Sequence, residues 1–411
     1  MTRDDLLALD ATDPLAHKRA AFALPDDAIY LDGNSLGPLT HVAQARLHEV
    51  VARQWGTDLI QSWNRHHWID LPQLTGEKIA QLIGAAPGQT ICCDSTSVNL
   101  FKLLAAALHL QPERRIVLTE RDNFPADLYI AEGIARDNRQ AVCEIRAVAA
   151  EEIADALSTE VAVLLLTHVN FKTAAMHDMQ VLTRAAHEKG VLVVWDLAHS
   201  VGAMPLALDE WQVDFAVGCG YKYLNGGPGA PAFLYVAARH QAVIRQPLTG
   251  WMGHANPFAF APDYEAASGV QQMLCGTPPI LAMSALDAAL EVFTDVDLLQ
   301  VRAKSLALSR LFLALVAASP DLAALRPASP TEDAARGSHL AFAHAEAYGI
   351  CQALIAAGVI VDFRAPDILR IGITPLTLRY VDIWDAVQIL REIQRERRYQ
   401  APEYAHRARV T

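Results

Sequence analysis

The amino-acid sequence predicts an α/β protein, with a mainly parallel central sheet in a large domain and a smaller α+β domain after it. Three observations support this fold class. Short apolar runs rich in β-branched residues occupy the middle of the chain without alternating with polar residues, as strands covered on both faces do. A helical pattern lies between two of these runs, which is the order of a parallel sheet with crossover helices. The last part of the chain instead combines long helical patterns with a few short strands.

The pattern assigns each element in turn. Strands of the large domain are predicted at 114–120, 161–169, 191–199 and 214–220. The helix between the second and third strands covers 178–190, where Asp178 fits the N-cap and Gly190 fits the stop. The later elements are a helical stretch over about 282–318, a helix over 346–357, short strands containing VIVDF and ILRIGI, and a final charged helix.

These elements divide the chain into three predicted segments. We expect residues 1–55 to form a turn-rich N-terminal segment that packs with the small domain. A large, cofactor-binding domain is expected at 56–280 and a small C-terminal domain at 281–411. Ligands of open parallel sheets bind beyond the carboxyl ends of the strands, so polar residues at those ends are the candidates for a site.

Composition and charge restrict the possible partners. The chain has 411 residues, of which 52% are hydrophobic and 19% charged, as in an ordinary globular protein. A net charge of −12 disfavours nucleic acid and anionic membranes. The segment MTRDDLLALD is acidic where an export signal is basic, and no apolar run approaches the ~20 residues of a membrane span. We therefore expect a cytoplasmic protein that is either a metabolic enzyme or a protein-binding domain.

Several catalytic and metal-binding motifs are absent from the sequence. The six cysteines have no CxxC spacing, so neither a metal clip nor a disulfide framework is indicated, and we expect no metal. The glycine-rich segments GCGYKY and GGPGAP match neither GxGxxG nor a Walker loop, and no GxSxG or HExxH is present.

Two residues at strand ends indicate a particular cofactor. Asp196 ends the apolar run VVWD, where a lone buried carboxylate would be costly, so it is either an N-cap, half of an ion pair, or the partner of a protonated ring nitrogen. Lys222 in GCGYKYLNGG is either a surface lysine or an amine that forms a Schiff base with an aldehyde. Pyridoxal 5′-phosphate chemistry requires such a lysine together with an upstream acid, and Asp196 followed by Lys222 has that order.

Two further segments fit the other edges of this cofactor. Asp94, Ser95, Thr96 and Ser97 precede an apolar helical pattern, so hydroxyls and free amides would lie at a helix N-terminus, where anions bind. The alternative is an ordinary helix cap. Phe124, in a turn after another strand, could stack on a flat ring or simply fill the core.

With these residues, the sequence resembles the kynureninase family, whose members are fold-type I pyridoxal phosphate enzymes of the class V aminotransferase group. The resemblance covers nearly the whole chain and rests on the segments YLDGNSLGPL, FPAD, THVNFKTA, WDLAHSVG, YKYLNGGPGAPAF, GWMGH and GTPPIL. It implies that Lys222 carries the cofactor, that Asp196 partners the ring nitrogen, and that His199 supports it. The other residues it implies for the cofactor are Phe124, Asp127, Thr167, Thr96, Ser97 and Tyr221, with Trp251 and Thr277 from the facing subunit of a homodimer.

The resemblance also implies a reaction, the hydrolysis of L-kynurenine to anthranilate and L-alanine in tryptophan degradation. Tyr221 is then either the acid and base of the later steps or a phosphate ligand only. Arg370 is the expected partner of the substrate carboxylate, because a guanidinium fork grips a carboxylate in two places, although a cross-strand salt bridge is the alternative. Asn34 and Ser35 are further candidates for the substrate pocket, as are Trp63 and His254.

Substrate preference and reaction class have alternatives. Animal members of the family that favour 3-hydroxykynurenine tend to have an asparagine where this chain has Thr277, which favours unhydroxylated kynurenine. A related carbon–sulfur lyase or cysteine desulfurase would need a reactive cysteine on a mobile loop, and Cys219 lies instead in the strand before Lys222. A catalytically inactive binding scaffold is disfavoured by the presence of both Lys222 and Asp196.

Overall fold

A computed structural model describes residues 2–136, 143–404 and 406–407. Its α-helices are α1 (Arg3–Thr12), α2 (His41–Glu49), α3 (Ser62–Arg65), α4 (Leu71–Ile83), α5 (Thr96–Leu110), α6 (Pro125–Arg136), α7 (Ile153–Ala156), α8 (Met179–Glu188), α9 (Ala238–Gln241), α10 (Ile280–Ala289), α11 (Leu298–Ala317), α12 (Ala347–Ala356) and α13 (Tyr380–Glu396). Its strands are β1 (Ile29–Tyr30), β2 (Thr90–Cys92), β3 (Ile116–Glu120), β4 (Glu144–Val148), β5 (Val161–Thr167), β6 (Leu192–Asp196), β7 (Phe215–Cys219), β8 (Ala232–Val236), β9 (Arg326–Pro327), β10 (His339–Ala343), β11 (Val359–Ile360), β12 (Asp362–Arg364) and β13 (Ile368–Gly372).

The large sheet is mainly parallel, which confirms the predicted fold class. Among the described residues it has seven strands in the order β2-β8-β7-β6-β5-β3-β4. The neighbours from β7 to β4 pair in parallel, whereas β8 runs antiparallel to both β7 and β2. Strands β3, β5, β6 and β7 lie within the four apolar runs that predicted them.

The central strands are covered on both faces, which is why their sequences do not alternate. In β5, Leu164 and Leu166 pack into the core on one face of the sheet, and Val163 and Leu165 pack into the core on the other. The crossover helix α8 begins where the sequence predicts, since the Asp178 side chain accepts a hydrogen bond of 2.9 Å from the backbone amide of Val181. Met179 and Ala186 of α8 pack into the same core as Leu164 and Leu166.

A second, antiparallel sheet lies in the C-terminal part of the chain, with the strand order β12-β13-β10-β9. One face of this sheet carries Leu340, Phe342, Leu369 and Ile371, which pack into a core shared with α11, α12 and α13. Leu6 and Leu31 from the N-terminal part of the chain also belong to this core. The opposite face of the sheet carries the polar residues described in the next subsection.

Two sequence expectations differ from the structure in detail. The stretch 282–318 is not one helix: α10 is followed by a 3₁₀ turn over Leu290–Phe293, and α11 starts anew after Asp297, whose side chain caps the amide of Leu299 at 2.8 Å. The N-terminal segment is not merely turn-rich, because it contains α1, which a capping box between Thr2 and Asp5 starts. The three segment boundaries stay a prediction.

No α-helix in the described ranges combines the length and apolarity needed to span a bilayer. Within the same ranges, no group of three or more histidine, cysteine or acidic side chains is arranged to hold a metal ion.

Candidate active site

The candidate site lies at the carboxyl ends of four neighbouring strands of the large sheet. Thr167 ends β5 and Asp196 ends β6, and these two residues pair directly across the strands. Phe124 follows β3 in the turn that leads to α6, and Lys222 follows β7 by three residues. The sheet order β7-β6-β5-β3 therefore brings together residues that are up to about 100 positions apart in the chain.

Lys222 is buried, with 8% of its surface exposed. Its Nζ lies 3.4 Å from Nε2 of His199 and 5.8 Å from the ring centroids of both Phe124 and Tyr221. Burial, reinforced by the Lys222 charge, lowers the pKa of His199 well below its usual value. His199 is therefore neutral and can accept a hydrogen bond from the lysine.

Two carboxyl groups, of Asp127 and Asp196, are buried beside Lys222, each 2% exposed. Burial raises the pKa of both, the Asp196 charge raises the pKa of Asp127 further, and the Lys222 charge opposes the rise at each. Asp196 accepts a hydrogen bond of 2.7 Å from the amide of Ala198, and Asp127 accepts one of 3.3 Å from Thr167 Oγ1. Two buried carboxyl groups, of which one disfavours the charge of the other, form a place where a cation is stabilised.

Asn123 organises this end of the site, although no sequence pattern singles it out. Its Oδ1 accepts hydrogen bonds from the amide of Phe124 at 2.8 Å, from the amide of Thr167 at 3.2 Å and from the Thr167 hydroxyl. Its Nδ2 donates to Thr119 Oγ1 at 3.1 Å. One buried side chain thus joins the turn that carries Phe124 to the end of β5.

The N-terminus of α5 provides the expected anion site. Ser95 caps the helix by accepting from the amide of Val98 at 3.3 Å, so the amides of Thr96 and Ser97 in the first turn have no acceptor within the helix. Such amides, together with the helix dipole, favour an anion. Tyr221 is half-buried, and burial raises the pKa of its hydroxyl, so that it stays protonated.

These features fit pyridoxal phosphate as judged by the chemistry of the available groups. The buried amine matches the aldehyde of that cofactor, and the aromatic face matches its ring. The carboxyl pair stabilises a cation and so matches the ring nitrogen, while the helix N-terminus stabilises an anion and so matches the phosphate. The arrangement uses Lys222, Phe124, Asp127, Asp196 and the first turn of α5.

Arg370 lies on the polar face of the small sheet, with 1% of its surface exposed. Its Nε donates to Asp362 Oδ1 at 2.7 Å, its Nη2 donates to Ser35 Oγ at 2.9 Å and to Asp362 Oδ2, and its Nη1 donates to the carbonyl of Phe171. Asp362 is its cross-strand partner in register, so the salt bridge that the sequence offered as an alternative is formed. One Nη1 hydrogen is left without a partner among these contacts.

The N-terminal segment around Asn34 packs against both Arg370 and the lysine loop, the segment 220–231 that joins β7 to β8 and carries Lys222. Ser35 Oγ donates to Asp362 Oδ2 at 2.7 Å. Asn34 is fully buried, and neither its Oδ1 nor its Nδ2 has a hydrogen-bond partner among the described residues. Gly37 lies so close to the lysine loop that a Cβ at this position would be 2.2 Å from the carbonyl oxygen of Lys222.

Four other predicted residues do not join this cluster. In the part of the chain that the structure describes, Trp251, Thr277, Trp63 and His254 make no hydrogen bond, ion pair or ring contact with the residues around Lys222. Trp251 packs instead on Phe258 and Phe260 of its own segment, and Trp63 packs edge-on against Trp68. Their assignment to the site stays a prediction.

Solved structures of other enzymes share the fold. The cysteine desulfurase of Thermococcus onnurineus NA1 superposes with a TM-score of 0.78 at 15% identity, over 92% of this chain and 98% of that one. The cystine C-S lyase C-DES, in a structure with glycine covalently linked to its PLP cofactor, gives 0.78 at 17% identity, over 90% and 98% of the two chains. The likeness establishes the fold-type I architecture of pyridoxal phosphate enzymes.

Closer relatives are found among curated sequences. The kynureninases of Pseudomonas fluorescens and Burkholderia pseudomallei (strain K96243) are each 49% identical to this chain, over 100% of both sequences in each comparison. The family model of the kynureninase C-terminal domain matches residues 301–390, which include Arg370. The chain therefore belongs to the kynureninase family of pyridoxal phosphate enzymes.

Proposed function

We propose that this enzyme hydrolyses L-kynurenine between the β and γ carbons to give anthranilate and L-alanine, with pyridoxal 5′-phosphate as cofactor. The observation that carries the proposal is the whole-length identity to kynureninases, combined with a buried Lys222 beside two carboxyl groups and an aromatic ring. We propose unhydroxylated kynurenine as the preferred substrate, on the ground that Thr277 stands where 3-hydroxykynurenine-preferring relatives tend to have asparagine.

The residues at the strand ends would hold the cofactor. Lys222 would bind its aldehyde, Phe124 would cover one face of its ring, and Asp196, with Asp127 and Thr167 nearby, would stabilise the proton on its ring nitrogen. The residues proposed to hold its phosphate are Thr96, Ser97 and Tyr221, with Trp251 and Thr277 of the partner subunit. When bound, pyridoxal phosphate withdraws electrons from the substrate and so makes its α proton acidic.

Three side chains would then move or hold protons. The Lys222 amine is placed to remove the α proton and to return it later, and the neutral His199 at 3.4 Å can accept a hydrogen bond from that amine. The raised pKa of Tyr221 keeps its hydroxyl protonated, so it can act as the acid that protonates the β carbon after cleavage. A role of Tyr221 in phosphate binding alone is the competing assignment.

The substrate would bind at the polar face of the small sheet, which carries Arg370. The free Nη1 hydrogen of Arg370 points to a role in binding the substrate carboxylate, with Ser35 and Asn34 beside it. Asp362 would act as the positioning residue that fixes the guanidinium, since it binds Nε and Nη2 from the opposite strand. Hydrogen-bonded ion pairs of this kind restrict an arginine to one orientation.

We also propose a homodimer in which each site is completed by the partner. Large apolar side chains are exposed in two segments, with exposed fractions of 57% for Trp55, 60% for Leu59, 77% for Ile60, 56% for Phe258 and 74% for Phe260. Exposed apolar clusters mark interaction surfaces. The second segment also contains Trp251, which fits its proposed role toward the partner's phosphate site.

A cytoplasmic location is proposed as well. All six cysteines are free in the structure, and five of them are buried. Free thiols in this number fit a reducing compartment, where disulfides are rare.

The activity is tested by incubation with L-kynurenine while anthranilate fluorescence is followed. The wild type and a Lys189→Ala control, which changes an exposed lysine, are expected to form anthranilate and alanine in equal amounts, and Lys222→Ala is expected to form neither. Borohydride should fix the cofactor to the wild type but not to Lys222→Ala. Absence of anthranilate from wild type saturated with cofactor would reject the substrate assignment.

The desulfurase alternative is tested by the accessible thiol. Cys275 is the cysteine that is not buried, whereas burial raises the pKa of the Cys219 thiol and disfavours a reactive thiolate there. Cys275→Ser is expected to retain full kynurenine cleavage. Sulfide release from L-cysteine that disappears in this variant would favour the desulfurase instead.

The dimer is tested by sedimentation at micromolar concentration. Ile60→Glu is expected to shift the wild-type dimer toward monomer and to weaken cofactor binding, because the partner's Trp251 would be removed from the site. Leu299→Glu changes a residue of similar exposure, 68%, outside the two segments, and should remain dimeric. A monomeric wild type would contradict the proposal.

A further inference from the structure

A fully buried histidine of the small sheet has no hydrogen-bond partner. His339 is 0% exposed, and neither Nδ1 nor Nε2 has a partner among the described residues. Burial, together with the Arg370 charge, lowers its pKa well below the usual value, so the imidazole is neutral. A neutral imidazole offers one N–H donor and one acceptor, and leaving both unpaired in the interior is costly.

His339 lies close to the residues around Lys222. It starts β10, on the face of the small sheet opposite to the apolar core that Leu340 and Phe342 enter. Its ring centroid lies 5.6 Å from that of His199, the residue whose Nε2 approaches Lys222. The preceding residue, Ser338, accepts a hydrogen bond of 2.9 Å at its carbonyl from the Tyr223 hydroxyl, which ties the start of β10 to the lysine loop.

His339 is also a neighbour of the proposed carboxylate site. Across the antiparallel pair β10 and β13, His339 lies opposite Gly372 and Ala341 lies opposite Arg370, so His339 and Arg370 share one face one step apart. The space that a side chain at Gly372 would occupy is filled by the Asn34 amide, since a Cβ there would be 2.0 Å from Asn34 Oδ1. Two buried, unpartnered polar side chains, His339 and Asn34, thus stand beside Arg370.

The number of donors explains why they would be needed. Arg370 has one N–H left after its contacts with Asp362, Ser35 and Phe171, whereas a carboxylate can accept about four hydrogen bonds. The charges of the neighbouring side chains also favour a carboxylate. Arg364 and Arg370 face the ionised Asp362, while burial and the Asp362 charge raise the pKa of Asp32 to about 7, so this polar face is not neutralised by its own acids.

We propose that His339 is a substrate-binding residue, whose imidazole N–H donates a hydrogen bond to the substrate carboxylate beside Arg370 and Asn34. The inference rests on the carboxylate role proposed for Arg370 and deepens it. A neutral donor there adds binding energy without adding a second cation next to Lys222. Two of the unpaired groups, one imidazole N–H of His339 and the Nδ2 amide of Asn34, are donors from which a carboxylate can accept.

The test compares two ligands that differ only at the carboxylate, L-alanine and L-alaninamide, by calorimetric titration of the cofactor-loaded protein. The variants are His339→Leu, His339→Gln, Arg370→Lys and the control His344→Leu, which changes a histidine just beyond the end of β10. Because a hydrogen bond to a charged group contributes about 10- to 100-fold in affinity, His339→Leu should bind L-alanine at least tenfold more weakly and L-alaninamide within twofold. His339→Gln keeps a donor and should lie within about threefold of wild type for both ligands.

Thermal unfolding without ligand gives a second readout. Leucine removes two unpaired buried polar atoms, so His339→Leu should melt at or above the wild-type temperature, whereas a structural histidine would lose stability. Equal weakening of both ligands, a lowered melting temperature with unchanged discrimination, or no weakening at all would overturn the inference for His339. If that variant fails to fold, His339→Phe, which keeps a flat ring without a donor, replaces it: lost discrimination against L-alaninamide supports the donor, and unchanged discrimination refutes it.

Comparison of the Arg370 and His339 variants distinguishes a failure of the His339 role from a failure of the Arg370 role. If Arg370→Lys loses the discrimination and His339→Leu keeps it, the role of His339 fails alone. If neither variant loses it, the carboxylate is bound elsewhere and both assignments fail. Anthranilate formation by the wild type is measured separately and decides the activity itself.

Discussion

Replacement of Asn123 by alanine tests how the site is held together. Asn123 is 3% exposed, and its Oδ1 is the acceptor for two amides and one hydroxyl, those of Phe124 and Thr167. Alanine removes the acceptor of both amides, leaves the Thr167 hydroxyl only its 3.3 Å contact with Asp127, and also removes the bond to Thr119. The turn that carries Phe124 would lose its attachment to the end of β5, while the apolar packing of the sheet is unchanged.

The expected cost follows from the three donors. At about 1 kcal/mol for each of the three hydrogen bonds lost at Oδ1, Asn123→Ala should lower the free energy of unfolding by about 3 kcal/mol. An unfolding entropy of roughly 2.1 cal/mol/K per residue over 411 residues is about 0.86 kcal/mol/K, so the midpoint temperature should fall by about 3.5 °C. Because Phe124 is the proposed ring contact, the affinity for pyridoxal phosphate should fall as well.

The measurement combines calorimetric melting of the cofactor-free protein with absorbance titration of pyridoxal phosphate. Asn64→Ala, at an exposed position, is the matched control and should change neither quantity. A wild-type midpoint together with wild-type cofactor affinity in Asn123→Ala would refute the reasoning, because the three hydrogen bonds would then have no energetic weight.

Other predictions concern backbone contact and pH. Gly37→Ala should displace the lysine loop and abolish cofactor binding, because its Cβ would stand 2.2 Å from the Lys222 carbonyl oxygen; the helical control Gly133→Ala meets no atom within 4 Å and should stabilise the protein by about 0.5–1 kcal/mol. Both are checked by absorbance titration and melting. Burial lowers the pKa of His168 to about 3, so between pH 6.5 and 3 the unfolded chain binds a proton that the folded one does not. Stability should therefore fall by about 1.4 kcal/mol per pH unit on acidification from this residue, and His168→Leu should melt with a shallower pH dependence; equal slopes would contradict the assignment.

The large sheet was predictable because each of its central strands can be recognised from its own sequence. Each central strand is an unbroken apolar run, and the crossover helix has both its cap and its stop in the sequence, at Asp178 and Gly190. The break between α10 and α11 was missed because apolar periodicity continues across it, and only the Asp297 cap marks the new start. The helix α1 was missed although Thr2 and Asp5 form a capping box, since its apolar face is short.

Some residues of the candidate site could likewise be selected from local sequence, and others could not. Lys222, Asp196 and Phe124 could be selected from their places at strand ends, and their proximity depends only on the strand order. Asn123 and His339 could not, because an amide or imidazole in a turn or strand carries no signal until its neighbours across the sheet are known. The pairing of Arg370 with Asp362 depends on the antiparallel register of β12 and β13, which the sequence alone leaves open.

The two-faced small sheet restricts how the gene can change length. Along β13, Leu369 and Ile371 enter the apolar core while Arg370 between them lies on the opposite, polar face, and β10 alternates in the same way. A single-codon deletion inside either strand would exchange the two faces, sending the arginine into the core and a leucine into the site. We therefore expect insertions and deletions among natural variants to be confined to connections such as 344–346 and 365–367, and to be absent from the strands themselves.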